Sequence, residues 1–183
     1  MGFALATAAR RRGHTVTLIA GPVALPAPDG VSIVSVISAE DMLDAVSSNL
    51  PECDALIMCA AVADWRPATI SPRKLKKHGG IPTLTLEATP DILQTIKPRK
   101  RKRLFIGFAA ETDDLEQEAS RKLKSKGLDL IVANDVGRSD SGFEVENNRV
   151  VMIPASGPRR RLPLMSKDAV AERIMDWIDA RWK

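Results

Sequence analysis

A mostly parallel β-sheet covered by helices on both faces is the fold this sequence predicts, and three observations predict it. Short apolar runs rich in β-branched residues alternate with helical stretches as far as Asn134, the order that builds parallel sheets. Three of those runs, Ala55–Ala61, Leu104–Ala109 and Leu130–Ala133, are apolar throughout, as strands shielded on both faces are. Beyond Asn134 the pattern changes to a β-hairpin and one last helix. The 183 residues are 44% hydrophobic and 27% charged, enough for a single domain with its own core, and one domain over residues 1–183 is expected.

The elements follow in order. Phe3–Arg12 reads as a helix stopped by Gly13. Thr15–Ala20 is a strand ended by Gly21-Pro22, and Val31–Ile37 is a second. Ser38, with Asp41 three residues on, has capping-box spacing and starts a helix that runs to about Leu50. Ala55–Ala61 is the third strand. Residues 62–80 form a long irregular stretch, which in a compact domain marks a functional or mobile segment. Leu84–Ala88 is a short strand, and Thr89-Pro90 begins a helix. Leu104–Ala109 is a strand. Thr112 caps a helix with acids in its first turn and lysines in its last, matching the helix dipole, and Gly127 stops it. Leu130–Ala133 is a strand. Arg149–Ile153 and Arg161–Leu164 are hairpin arms around Ser156-Gly157-Pro158, and Ser166 caps a final helix reaching about Trp182.

Several classes are excluded. No apolar run approaches the roughly 20 residues that cross a bilayer, so no membrane partner is expected. The opening residues lack the pattern of a signal peptide. The two cysteines, Cys53 and Cys59, form no C-x-x-C and read as reduced thiols of a cytoplasmic protein. The net charge of +4 suits anionic ligands. The basic run Arg99–Arg103 contains no aromatic residue and reads as a solvated loop, so no nucleic-acid partner is expected.

Sheets of this kind bind ligands beyond the carboxyl ends of their strands, which points to the loops after Ala61, Ala109 and Asn134. In CAAVADWRP, small residues at a strand end let a ligand approach the backbone, and Asp64 suits a cation or a ribose hydroxyl; an ordinary loop aspartate is the plainer reading. Lys74-Leu75-Lys76-Lys77, followed by Gly79-Gly80, has the composition of an electropositive flap able to close on phosphates, or of a solvated loop. Thr89-Pro90-Asp91-Ile92-Leu93 offers backbone N–H groups at a helix start, or is simply a capped helix. Phe108, in GFAAET, can stack on a base or fill a core. Lys122 and Lys126, spaced i, i+4, share a helix face and can reach a polyphosphate, or else serve the dipole. His14 and His78 are isolated, and Trp177 and Trp182 read as packing residues. A nucleophile elbow, a Walker A loop and G-x-G-x-x-G are all missing. The chemistry therefore rests on electrostatics and positioning, and a dinucleotide oxidoreductase is disfavoured.

The ordered series AAVADWRP, KLKK, ATPDIL, GFAAET, Lys122 and Lys126, LDLIVANDV and GFEVENN is similar to bacterial phosphopantothenate–cysteine ligases over nearly the whole chain. The resemblance implies a Rossmann-like, homodimeric enzyme, usually fused to a flavin-dependent decarboxylase; no flavin is expected in this chain. It implies that phosphopantothenate attacks the α-phosphate of CTP, with Mg²⁺ present, to give an acyl-cytidylate and pyrophosphate. Cysteine then displaces CMP. By resemblance, Met58, Cys59 and Ala60 line the nucleotide through their backbone. Asp64 contacts the nucleotide or its Mg²⁺. Lys74 is the catalytic lysine that steadies the triphosphate. Pro90, Asp91, Ile92 and Leu93 border the cytosine, and Phe108, Lys122 and Lys126 complete the site. Residues near Phe143 and the hairpin around Ser156 join subunits. The family's glycine-rich turn and N-x-S-S-G-K-like segment have no counterpart here, and the sequence opens inside a helix. The expectation is therefore a weak or inactive ligase when alone, less stable than a complete domain. The alternative is a non-catalytic nucleotide-binding or regulatory fragment.

Overall fold

The computed structural model describes residues 1–73, 83–111, 114–135 and 147–182. Helix α1 (Gly2–Arg11) ends before Gly13, whose φ of +88° favours glycine. Strands β1 (Thr17–Ala20) and β2 (Ser32–Ser35) follow. Helix α2 (Ala39–Asn49) starts with the expected capping box: Asp41 N–H donates to Ser38 Oγ at 3.0 Å, and Ser38 N–H donates to Asp41 Oδ2 at 2.9 Å. The N–H and hydroxyl of Ser38, aided by the N–H of Ile37, hold the Asp41 carboxyl below its ordinary range.

Strand β3 spans Ala55–Met58, shorter than the apolar run suggested. Its four residues are half-buried, because it is hydrogen-bonded on one side only, to β6 (Leu104–Glu111). The stretch expected to be irregular contains β4 (Trp65–Pro67), which pairs antiparallel with β5 (Leu86–Ala88). A three-residue strand containing proline carries no periodic signal, so only its partner reveals it. Helix α3 (Ile92–Ile96) is capped by Asp91, whose Oδ1 accepts from Gln94 N–H at 3.0 Å. Thr89 is not the cap; its hydroxyl donates to the carbonyl of Ala63. Helix α4 (Leu115–Lys126) begins after Asp114, which stands in the left-handed region at φ 45°. The expected cap, Thr112, lies outside the described residues, and the first-turn acids are Glu116 and Glu118. Strand β7 (Leu130–Asp135), β8 (Asn147–Asn148), β9 (Val150–Pro154), β10 (Arg160–Arg161), β11 (Met165–Ser166) and α5 (Lys167–Asp179) complete the described chain. The β9–β10 hairpin forms where it was expected, but its second arm is only Arg160–Arg161, ending where the sequence suggested it would begin; Ser166 caps α5 as expected.

The main sheet has the order β10-β9-β7-β6-β3, with β3, β6 and β7 parallel and β9 and β10 antiparallel to their neighbours. The parallel pair β1-β2 is not hydrogen-bonded to it. Residues alternate between two cores, as the pleat dictates. Phe105, Ile131 and Ala133 face Met42, Val46, Ile96 and Leu123 of α2, α3 and α4. Ile106, Leu130 and Val132 face Leu5, Ala8, Val170 and Ile174 of α1 and α5. Burying each such large side chain contributes about 1.5–3 kcal/mol.

The basic run is not a freely solvated loop. Arg99 donates to the carbonyl of Ser47 near the end of α2, Arg103 to the carbonyls of Pro51 and Cys53, and Lys100 to the carbonyl of Gly127 and to Asp129. Helix ends leave carbonyls without partners, and cations there satisfy both hydrogen bonding and the dipole. Arg12 clasps α1 to α5 through Glu172, Asp176 and Asp179, and His14 lies 3.0 Å from Asp179. Trp177 is buried, whereas Trp182 is 43% exposed and meets His14 edge-on. Among the described residues, no helix is long and apolar enough to cross a membrane.

Candidate nucleotide-binding site

Strands β3, β6 and β7 run parallel, so their carboxyl ends open on the same edge of the sheet. The chain leaves β3 at Cys59 and Ala60 and passes through Asp64, which is exposed. Two hydrogen bonds tie this loop to the start of α3: Thr89 N–H donates to the Asp64 carbonyl at 2.9 Å, and the Thr89 hydroxyl to the Ala63 carbonyl. Asp91 then does two things. One oxygen caps α3, and the other forms an ion pair with Lys126 in the last turn of α4. The structure thus links the Asp64 loop to the start of α3, and the start of α3 to Lys126, from positions far apart in sequence. Lys122 stands one turn before Lys126 and is half-buried.

Other expected residues are placed differently. The side chains of Met58, Ile92 and Leu93 pack into the core beneath α2, α3 and α4, so what they can present to a ligand is backbone. Phe108 packs on the opposite core, under α1 and α5. The sheet therefore separates its ring from the start of α3. Pro90 is half-buried beside the Asp91 cap. Burial pushes the Cys59 thiol above its ordinary pKa, which keeps it protonated and unreactive. Lys74, Lys76, Lys77, His78 and Phe143 lie outside the described residues.

The arm β4–β5 is fastened beside the site. Arg66 bonds Glu87 across the pair at 2.8 Å and also pairs with Glu40 of α2; the Glu87 carboxylate, followed by Glu40, pushes the guanidinium pKa up. Among the described residues, no group of three or more His, Cys, Asp or Glu side chains could hold a metal ion. Magnesium does not need such a cage, because it commonly binds through one or two carboxylates together with substrate phosphates and water. A single exposed carboxylate, Asp64, fits that donor set.

Sequence reasoning missed two residues. Among the described residues, the side-chain oxygens of Asn134 and Asn148 are buried without a hydrogen-bond partner. Both lie in motifs that carry the family resemblance, Asn134 in LDLIVANDV and Asn148 at the end of GFEVENN, but nothing local to either assigns it to a site.

A parallel sheet whose carboxyl ends open on an acidic loop and a capped helix start is the arrangement with which α/β domains bind ligands. Comparison with known proteins narrows this class. Residues 1–181 match the family model described as the DNA/pantothenate metabolism flavoprotein C-terminal domain, and the chain belongs to that family. It is 45% identical over 181 residues to the coenzyme A biosynthesis bifunctional protein CoaBC of Bacillus subtilis (strain 168), covering 98% of this chain and 45% of that protein. To the protein of the same description from Escherichia coli (strain K12) it is 41% identical over 186 residues, covering 100% and 46%. The chain thus spans less than half the length of these curated relatives. A crystal structure described as the C-terminal domain of coenzyme A biosynthesis bifunctional protein CoaBC superposes with a TM-score of 0.83 at 39% identity, covering 99% of this chain and 83% of that one.

Proposed function

We propose that this chain is the ligase domain that joins phosphopantothenate to cysteine at the expense of CTP, in coenzyme A biosynthesis. Family membership supports the pathway, and the observation that supports the site is the pairing of Asp91, at the start of α3, with Lys126 of α4, beside the loop that carries Asp64. A carboxylate oxygen of phosphopantothenate attacks the α-phosphorus of CTP, and pyrophosphate leaves with the bonding electrons. The amine of cysteine then attacks the acyl carbon and CMP departs. Both steps move charge onto phosphate oxygens, so preorganised cations lower their barriers. Lys126 and Lys122 supply such cations from α4. Lys74, from the KLKK segment, is the proposed catalytic lysine, steadying the triphosphate as the first step proceeds. Backbone groups of Met58 to Ala60 and of Pro90 to Leu93 position the nucleotide. Mg²⁺, when bound, neutralises phosphate charge, and Asp64 is its proposed protein ligand.

The relatives are described as bifunctional, which supports a flavoprotein decarboxylase as the natural partner of this domain. A homodimer is also proposed; Trp65, Leu84 and Leu86 on the β4–β5 arm are 61%, 63% and 52% exposed, and a second copy would cover them. Light scattering of the purified chain decides that point.

The decisive assay measures pyrophosphate release from CTP with phosphopantothenate, then CMP release on adding cysteine. Phosphopantothenate-dependent pyrophosphate is the expected result. CTP binding without release would replace the ligase with a binding-only domain. ATP supporting the reaction as well as CTP would refute the choice of nucleotide.

A further inference from the structure

Asn148 is only 4% exposed, and its side-chain oxygen has no hydrogen-bond partner. Its side-chain nitrogen donates to the sulfur of Met1 at 3.6 Å, which turns the oxygen away from that sulfur. Asn134 is in the same condition, its Oδ1 buried and unpartnered. The two share one face of the sheet. Asn134 lies opposite Val150, a residue of the core under α1 and α5. Asn148 precedes Val150 by two residues and is paired with Met165, which packs on that same core. Asn148 ends β8 and Val150 begins β9, so the chain passes from one asparagine to the strand that pairs with the other. Asn134 also faces Ala110 across β6. Both carboxamides therefore stand near the carboxyl ends of β6 and β7, on the opposite side of the sheet from Lys126 and Asp91.

A buried polar atom left without a partner costs about 1–3 kcal/mol, and folded proteins keep such atoms rare unless something supplies the missing bond. Here two acceptors lack donors among the described residues on one side of the sheet, near the carboxyl ends of β6 and β7. We infer that Asn134 and Asn148 receive the amino group of the acyl acceptor, a primary amine carrying a thiol. This rests on the ligation proposed above. An amine brings several N–H donors, which is what two carboxamide oxygens lack. Neutral acceptors hold it without the full negative charge that would keep it protonated, and an apolar surround disfavours the ammonium form. The amine is thus presented as its free base. Its nitrogen lone pair attacks the acyl carbon, the C–N bond forms, and the C–O bond to phosphate breaks with its electrons going to CMP. The proton lost on binding and the proton lost on acylation both pass to water. Met1 and Met165, beside Asn148, offer soft walls suited to a thiol-bearing side chain.

Side-chain amide signals of Asn134 and Asn148, followed by NMR during titration with L-cysteine, test the site without requiring turnover. Saturable shifts of both signals are expected, and N-acetylcysteine, whose nitrogen is acylated, should give none. Asn148→Leu keeps the size and removes the unpartnered oxygen; it should weaken cysteine binding at least tenfold while raising the melting temperature. Asn134→Leu supplies the same reading should Asn148→Leu fail to fold. In the coupled assay either variant should raise KM for cysteine at least tenfold against no more than twofold for CTP. No shift, equal shifts with N-acetylcysteine, or contact with an ordered water alone overturns the inference. Absence of pyrophosphate release in the unaltered chain overturns the ligase reading instead, and the titration still decides amine binding.

Discussion

Asp91→Asn isolates the electrostatic part of the site. Asparagine caps a helix as well as aspartate, so α3 keeps its bond to Gln94 N–H, while the charge facing Lys126 is removed. In the structure that charge neutralises Lys126. A bound polyphosphate must compete with Asp91 for the same ammonium. The pair is partly exposed, with side-chain accessibilities of 25% for Lys126 and 49% for Asp91, so it belongs with ion pairs of about 0.2–1 kcal/mol rather than with buried ones. Removing the competitor should tighten binding of CTP, or of pyrophosphate alone, by about 1.5- to 5-fold, since 1.4 kcal/mol is tenfold in affinity. Lys126→Ala should weaken it. Calorimetric titration at low salt and again at 0.5 M salt measures both. The gain in Asp91→Asn should shrink at high salt as the charges are screened. Weaker binding in Asp91→Asn, or an unchanged affinity in Lys126→Ala, would refute the idea that Lys126 is shared between the protein and the nucleotide.

Lys74→Ala should slow pyrophosphate release by orders of magnitude while the fold, read by circular dichroism, is unchanged; an unaltered rate removes Lys74 from the mechanism. Arg12→Met removes three partly exposed ion pairs between α1 and α5 and should lower stability by about 0.6–3 kcal/mol, taking each at about 0.2–1 kcal/mol; an unchanged urea midpoint refutes the clasp. Acid should loosen the same clasp. Burial works against the Asp179 carboxylate, but hydrogen bonds from Arg12 and His14 prevail and hold its pKa below the ordinary value. A carboxyl lowered in the folded state adds stability at neutral pH that is lost as pH falls below the unfolded value and through the folded one. The urea midpoint should therefore drop on acidification below about pH 4, and less in Asp179→Asn. Phe105→Ala, at a site with no exposed surface, should cost about 3–5 kcal/mol, checked by thermal melting.

Much of the fold follows from short-range rules that residues obey wherever they sit. Ser38 and Asp41 form a capping box because three residues of spacing bring each side chain to the other's backbone. Gly13 and Gly127 end helices because their φ values suit glycine. The apolar runs of β6 and β7 became strands, since burial on both faces requires such runs. The ordered motifs pointed to the family whose model residues 1–181 match. Non-local pairing was not legible. Strand β4 exists because β5 lies beside it. The thiol of Cys59 owes its raised pKa to burial that the sequence around it does not announce.

The sequence by itself determined the alternation of strands and helices, the caps at Ser38 and Ser166 and the family, mostly through properties of neighbours within one or two turns. Tertiary structure alone decided who meets whom. It joined Asp91 to Lys126, moved Phe108 to the far side of the sheet from α3, engaged the basic run with helix-end carbonyls, and left the oxygens of Asn134 and Asn148 buried without donors. Those outcomes depend on register and on which face of the pleat a residue occupies, and both are fixed only when strands distant in sequence pair and one core closes on each side of the sheet.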